Sequence, residues 1–250
     1  MKISFDVTAE DGNRARAFFE KHKASEFVVK RQRRNLEGKR APADREAFWK
    51  AMADCLLTTQ QRSGPDSAIA RFIRAERYPL TLAACRAARD PGAYVTRALT
   101  KFGGIRRTGN IGKELAQNLR WLDAEGGWQI IEAAVATLEQ KPAPEAERRA
   151  AEILAKHLAG LGPKQSRNVL QVLGLTQHEV PIDSRVTKWL NEFGFPLKLS
   201  AVALSDNAYY GLVSDGFQAL CSKAEVKPCV MDAAIFVSFD RAWGEGEVIW

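Results

Sequence analysis

LAGLGPKQSRNVLQVLG, residues 158–174, holds the turn on which the reading of this chain depends. A helix ends near His157, and Gly160, Leu161 and Gly162 follow it. Pro163 suits the first turn of a new helix, where its missing N–H costs nothing. Two glycines one residue apart permit a tight hairpin in which the backbone reaches φ > 0. Leu161 between them is placed to anchor the turn in the core. The free N–H groups at the start of the new helix point outward, and such a terminus binds a phosphate without help from side chains. Taken alone, Gly-Leu-Gly is only a corner between helices. Lys164 changes the reading, because it stands in the first helical turn. The helix dipole there works against an ammonium, and the uncharged amine is the form in which a lysine attacks a carbon.

The second informative stretch is VPIDSRVTKWL, residues 180–190. Asp183 follows an extended Val-Pro-Ile and reads as the cap of another helix. A lone Asp in that place is simply a cap. Here one helix and a short loop separate it from Lys164, which lets the chain return the carboxylate to the lysine.

Working outward, apolar residues recur at helical spacing along most of the chain. From Glu46, the residues Phe48, Met52, Cys55, Leu56 and Thr59 form one face, and Gly64-Pro65 ends that helix. Further helices are expected at about 66–76, 80–88, 91–101, 110–123, 127–140, 145–158, 164–173, 183–193, 207–224 and 229–240. The N-terminal stretch reads differently. Ile3 to Val7 alternates like a strand, and Glu26 to Val29 is a candidate to pair with it. KRQRRNLEGKRAPADR, residues 30–45, reads as a solvated loop or as a phosphate-contacting arm. The expected fold is therefore all-α, in two helical lobes with a small N-terminal β extension. Residues 1–45 form a basic extension; one lobe covers about 65–178, and 46–64 joins 179–250 in the other.

A chain of 250 residues can bury a sizeable core. Its net charge of +7 suits a polyanionic partner without proving one. Cys55, Cys85, Cys221 and Cys229 form no CxxC pair, which excludes the usual zinc and iron–sulfur spacings. The N-terminus lacks the apolar core of a signal peptide, and no run of about 18 apolar residues occurs. The expectation is a cytoplasmic or nucleoid-associated monomer with no membrane contact and no metal.

GLGPKQSRNVLQ followed by VPID resembles the HhH-GPD superfamily of DNA glycosylases, with a helix-hairpin-helix of the form LxGxGxK and a loop ending in V-x-D. The likeness extends over about residues 47–240 and is nearest to archaeal-type 8-oxoguanine glycosylases. It implies a bifunctional DNA glycosylase and AP lyase that acts in base excision repair on double-stranded DNA carrying an oxidised base. Lys164 would be the nucleophile and Asp183 its carboxylate partner. The DNA-binding hairpin would be Gly160, Leu161, Gly162 and Gln165. Gln60 in CLLTTQQRSGPDSAIARF (55–72) falls where relatives carry the residue that fills the gap left by the flipped base; Gln61 and Arg62 are neighbours able to serve instead. Arg106, Arg107 and Lys113 are candidates for phosphate or orphan-base contacts. Phe236 would stack on the extruded base, Asp232 one turn earlier would read its edge, and Asn168, one turn beyond Lys164, could hydrogen-bond it. No cofactor is implied beyond, at most, a monovalent cation at the hairpin. Two departures stand out. Arg185 occupies a position where many relatives have His, and the chain closes in GEGEVIW rather than in a base-recognising lysine. The residues leave open another lesion, such as an oxidised pyrimidine, and a non-catalytic DNA-binding module.

Overall fold

The computed structural model describes residues 3–61, 64–124, 126–140 and 142–239. Among these the chain forms thirteen α-helices and no strand. They are α1 (Ala9–His22), α2 (Glu26–Asn35), α3 (Arg45–Leu57), α4 (Ala68–Ile73), α5 (Leu82–Ala87), α6 (Pro91–Phe102), α7 (Thr108–Asp123), α8 (Gly127–Gln140), α9 (Pro144–His157), α10 (Pro163–Val172), α11 (Ser184–Phe193), α12 (Asn207–Lys223) and α13 (Pro228–Phe239). From α4 onward these follow the expected periodic segments to within a few residues. Among the described residues no helix is long and apolar enough to cross a membrane.

Local chemistry marks most of the helix starts. Thr8, Ser25, Asp44, Ser67, Thr81, Asp90, Asp183 and Asp206 each accept a backbone N–H of the turn they precede. Pro91, Pro144 and Pro163 stand in the first turns of α6, α9 and α10, where no intrahelical N–H is needed.

The expected β extension is absent. Residues 26–29 begin α2 instead, capped by Ser25, and Phe27, Val28, Arg31 and Asn35 lie buried along one helical face. That spacing of one and four residues is helical, and a lone strand at residues 3–7 would have had no partner to satisfy its backbone. The charge-dense stretch is likewise no loop at its start: residues 30–35 belong to α2.

Two apolar clusters organise the molecule. The first joins α3 through α10 around Phe48, Trp49, Met52, Phe72, Leu99 and Leu154. Trp49 is fully buried and donates its indole N–H to the Leu80 carbonyl at 2.9 Å. The second joins α1, α2 and α11 through α13 around Val28, Ile182, Tyr210, Phe217 and Met231. This division corrects two expected boundaries. Residues 48–57 pack with the first cluster rather than with the C-terminal one, because α3 is apolar nearly all round and lies inside it. Residues 1–45 are not an appendage, since Ala15, Phe27 and Val28 are part of the second core.

The clusters meet along α10. Val169 and Leu170 face the first, whereas Arg167 lies with its guanidinium carbon 4.3 Å from the Tyr210 ring centroid in the second. Fully buried Glu179 binds Arg167 and Arg148 and accepts from Ser214 and Gln218. A charge without access to water is tolerated only with such a set of partners. This network fixes the loop that carries the chain from α10 to Asp183.

Candidate active site

A pocket of ≈ 400 Å³ opens between the two clusters. Lys164 and Asn168 of α10, Asp183 and Arg185 at the start of α11, and Gln60 beyond α3 reach it. Phe27 and Arg31 of α2 and Asp232 and Phe236 of α13 complete its other wall. Its volume falls in the range of ordinary small-ligand pockets, about 300–1,000 Å³.

The hairpin at its rim is built as a close contact. Gly160 has φ +80°, and a Cβ there would sit 2.6 Å from Leu56 Cδ2 and 2.9 Å from the Glu114 carboxyl carbon. Leu161 is buried in the first core. Gly162 differs from the expectation: its φ is −85°, so it needs no left-handed freedom, and open space lies where its Cβ would be. What its missing side chain leaves is access to the backbone. Among the described residues no side chain caps the N-terminus of α10. Gln165 is not a surface contact, because its side chain is buried and donates to the Cys55 carbonyl (3.0 Å) and to Thr59 Oγ1 (2.6 Å). It ties α10 to the end of α3.

Lys164 stands half-buried in the first turn of α10, and among the described residues no carboxylate forms a salt bridge with it. Asp183 caps α11 through Oδ1, which accepts from the backbone N–H of Arg185 (2.8 Å) and of Val186 (3.1 Å). Its other oxygen receives Arg185 Nη1 at 3.0 Å. The Arg185 guanidinium carbon also lies 4.5 Å from the Phe236 ring centroid, so a cation stands between the carboxylate and the aromatic. Asn168 Nδ2 lies 3.2 Å from Cys55 Sγ, whose thiol burial pushes up to about 12.

Asp232 is buried and bound by Arg31 Nη1 and Gln171 Nε2, each at 2.9 Å. Burial pushes its carboxyl above the usual carboxylate range, Arg31 opposes that, and Asp183 adds to it. Phe236 stacks on Phe27, with centroids 4.6 Å apart and planes at 11°. Any group that stacks on Phe236 has to fit beside Phe27 and Arg185.

The structure separates the candidates for contact with the DNA gap. Gln60 is exposed, lines the pocket and holds a left-handed φ of 59°. Gln61 lines the pocket as well, but its side chain is tied down: its Oε1 accepts the Arg106 N–H at 2.8 Å and its Nε2 donates to the Leu57 carbonyl. Arg106 is exposed, and so is Lys113 on α7. Arg107 is not free for an orphan base, because its guanidinium pairs with Glu114 at 2.8 Å behind the hairpin. Arg62 and the C-terminal GEGEVIW lie outside the described residues.

Sequence reasoning missed Phe27, Arg31 and Gln171. The signal was present for the first two: a Ser cap at 25 followed by Phe27, Val28, Arg31 and Asn35 at helical spacing. Arg31 was concealed in a run of charge that reads as solvated. Gln171 lies on the buried face of α10, where nothing in the local pattern distinguishes it from an exposed amide. Among the described residues no group of three or more His, Cys, Asp and Glu side chains is arranged to hold a metal ion.

No family model and no curated protein sequence matches the chain. Solved structures do. A Methanocaldococcus jannaschii 8-oxoguanine glycosylase/lyase, in complex with a 15mer DNA containing 8-oxoguanine, is similar at a TM-score of 0.67 and 16% identity, over 90% of this chain and 96% of that one. The 8-oxoguanine DNA glycosylase from the same organism gives 0.64 and 17%, over 91% and 94%. The 8-oxoguanine DNA glycosylase of Thermotoga maritima gives 0.65 and 13%, over 94% and 99%. Nearly the whole chain thus adopts the helical fold of these three glycosylase structures.

Proposed function

We propose that this chain is a bifunctional DNA glycosylase and AP lyase of the HhH-GPD type, acting in base excision repair on an oxidised base, with 8-oxoguanine as the leading substrate. The observation that carries the reading is the position of Lys164. Lys164 lines a pocket of ≈ 400 Å³ together with Asp183, in the first turn of a helix that no side chain caps among the described residues. The shared fold supports it, because one of the similar proteins was solved on DNA containing 8-oxoguanine.

In the proposed reaction the hairpin amides of α10 take a backbone phosphate, and surface cations such as Arg106 and Lys113 add contacts that weaken as salt rises. The damaged nucleotide leaves the stack and enters the pocket, and Gln60 fills the gap. Lys164 Nζ attacks C1′. The N-glycosidic bond breaks and its electron pair departs with the base, which gains a proton. Asp183, held at fixed orientation by two backbone N–H groups and Arg185, stabilises positive charge developing on the sugar. Opening of the sugar ring leaves an imine between Lys164 and C1′. Loss of a C2′ proton then expels the 3′ phosphate by β-elimination. The chemistry uses an amine and a carboxylate and needs no cofactor.

Borohydride trapping tests this. Duplexes carrying 8-oxoguanine, an oxidised pyrimidine or an abasic site are incubated with the protein and reduced. A covalent complex that disappears in Lys164→Gln, while that variant still binds DNA, is the expected result. No complex on any duplex, the abasic one included, would reject the amine mechanism and leave a binding module.

A further inference from the structure

Phe236 on α13 has a neighbour on each face of its ring. Phe27 of α2 stacks on it, with centroids 4.6 Å apart and planes at 11°. The guanidinium carbon of Arg185, from α11, lies 4.5 Å from the same centroid. Two flat groups this near one ring centre would overlap if they shared a face, so they lie on opposite faces. The helices agree with this, because α13 packs against both α2 and α11. Phe27 is buried, whereas Arg185 lines the pocket with 34% of its side chain exposed. A base that enters the pocket therefore meets the guanidinium before the phenyl ring. Arg185 is held from two directions, by Phe236 at its face and by Asp183 Oδ2, to which its Nη1 donates at 3.0 Å. Asp183 is in turn fixed by the backbone N–H groups of Arg185 and Val186.

An ion pair this exposed adds little to stability. It also works against Asp183, since a cation beside the carboxylate lessens its hold on positive charge that builds on the sugar. Breaking the N-glycosidic bond supplies the cation with a task of its own. The electron pair leaves with the base, so negative charge builds there while positive charge builds on the sugar. We infer that Arg185 is a catalytic residue for base release: the extruded base stacks on its guanidinium, with Phe236 behind, and the cation stabilises the charge that departs with the base. Asp183 and Arg185 then match the two charges that separate as the bond breaks, and neutralise each other until it does. A guanidinium is flat and takes aromatic groups on its face. Its attraction for the base grows as the base becomes negative, so it is stronger in the transition state than in the bound substrate. A cation over a ring face does not read the ring's edge. The contact acts on how fast a flat base leaves, and not on the choice among bases.

This inference rests on the glycosylase reading, and its test separates the two. Single-turnover excision of 8-oxoguanine at saturating enzyme is measured beside cleavage of the same duplex carrying an abasic site, from which no base departs. Arg185→Gln keeps a donor for Asp183 Oδ2 and loses the charge. Excision is expected to fall about tenfold or more, and clearly further than abasic-site cleavage. Phe236→Leu leaves the guanidinium in place and is expected to cost less than Arg185→Gln. Excision by Arg185→Gln at or above the wild-type rate would overturn the inference, because Arg185 would then only restrain Asp183. Equal losses in both reactions would overturn it too, making Arg185 a support for Asp183 or for the DNA. So would a larger loss in Phe236→Leu, which would put the base on the phenyl ring. Thermal melting of both variants checks that the fold is retained. Failure of the wild type on every duplex is a different result and rejects the glycosylase reading itself.

Discussion

Asp183 and Arg185 hold each other twice: the Arg185 backbone N–H donates to Asp183 Oδ1 at 2.8 Å and its guanidinium to Oδ2 at 3.0 Å. The carboxylate is thus a helix cap and a pocket group at once, and two substitutions divide the roles. Asp183→Asn keeps an acceptor for the cap, so stability should change little, while single-turnover base release drops about 10²-fold or more with the loss of charge. Asp183→Ala should also lose about 1 kcal/mol of stability. An Asn variant as fast as wild type would reduce Asp183 to a cap.

The hairpin glycines should respond in opposite ways. Gly160→Ala places a side chain at φ +80° and against Leu56 and Glu114, and should cost about 1–3 kcal/mol in chemical denaturation. Gly162→Ala meets open space at φ −85°, so the fold should be unaffected. Its methyl would occupy the open space beside the start of α10, and DNA affinity in filter binding should fall if a phosphate rests there. Unchanged affinity there would show that no phosphate rests on this terminus.

Gln60 and Gln61 are neighbours with different work. Gln60→Gly removes an exposed side chain and relieves a left-handed backbone at φ 59°, which should raise stability by up to about 1 kcal/mol. The same change should slow excision if Gln60 fills the gap in the duplex. Gln61→Ala breaks the tie to Arg106, and should lower stability by about 1 kcal/mol in thermal melts.

Glu147 on α9 anchors the loop that leads to Asp183. Its carboxylate accepts the backbone N–H groups of Gln177, His178 and Glu179 at 2.9, 2.8 and 2.7 Å. Burial nevertheless raises its pKa from 4.5 to about 7, against the pull of those three donors. The folded chain then binds the proton more tightly than the unfolded chain. That contribution is complete below about 4.5 and is lost as pH rises through about 7. Glu147→Gln should be less stable throughout, having one acceptor oxygen fewer, and should lose less stability than wild type across this window. Parallel melting curves for the two proteins would rule out titration at this site.

Much of the architecture was legible because it is local. A helix start depends on a Ser, Thr or Asp and the three residues after it, and a helix face depends on spacing. The breaks at Gly103-Gly104 and Gly194 lie within such windows. The turn at Gly160 and the cap at Asp183 belong to the same class. The second N-terminal helix was misread although its signal is local: the Ser25 cap and the spacing of Phe27, Val28, Arg31 and Asn35 run into a stretch of charge that reads as solvated.

What the sequence by itself determined is the set of helices from α3 onward, the hairpin with Lys164 in the first turn of the helix that follows it, and Asp183 at the head of the next helix. Each follows from interactions between residues a few positions apart. The tertiary structure alone decided that α3 lies with the first cluster, that Gln165 and Arg107 turn inward, that Gln61 is tied to Arg106, and that Arg31 meets Asp232 across 201 residues. A buried arginine and a solvated one carry the same letter. The difference between them is the partner, and that partner is supplied by a distant part of the chain only once both cores have formed.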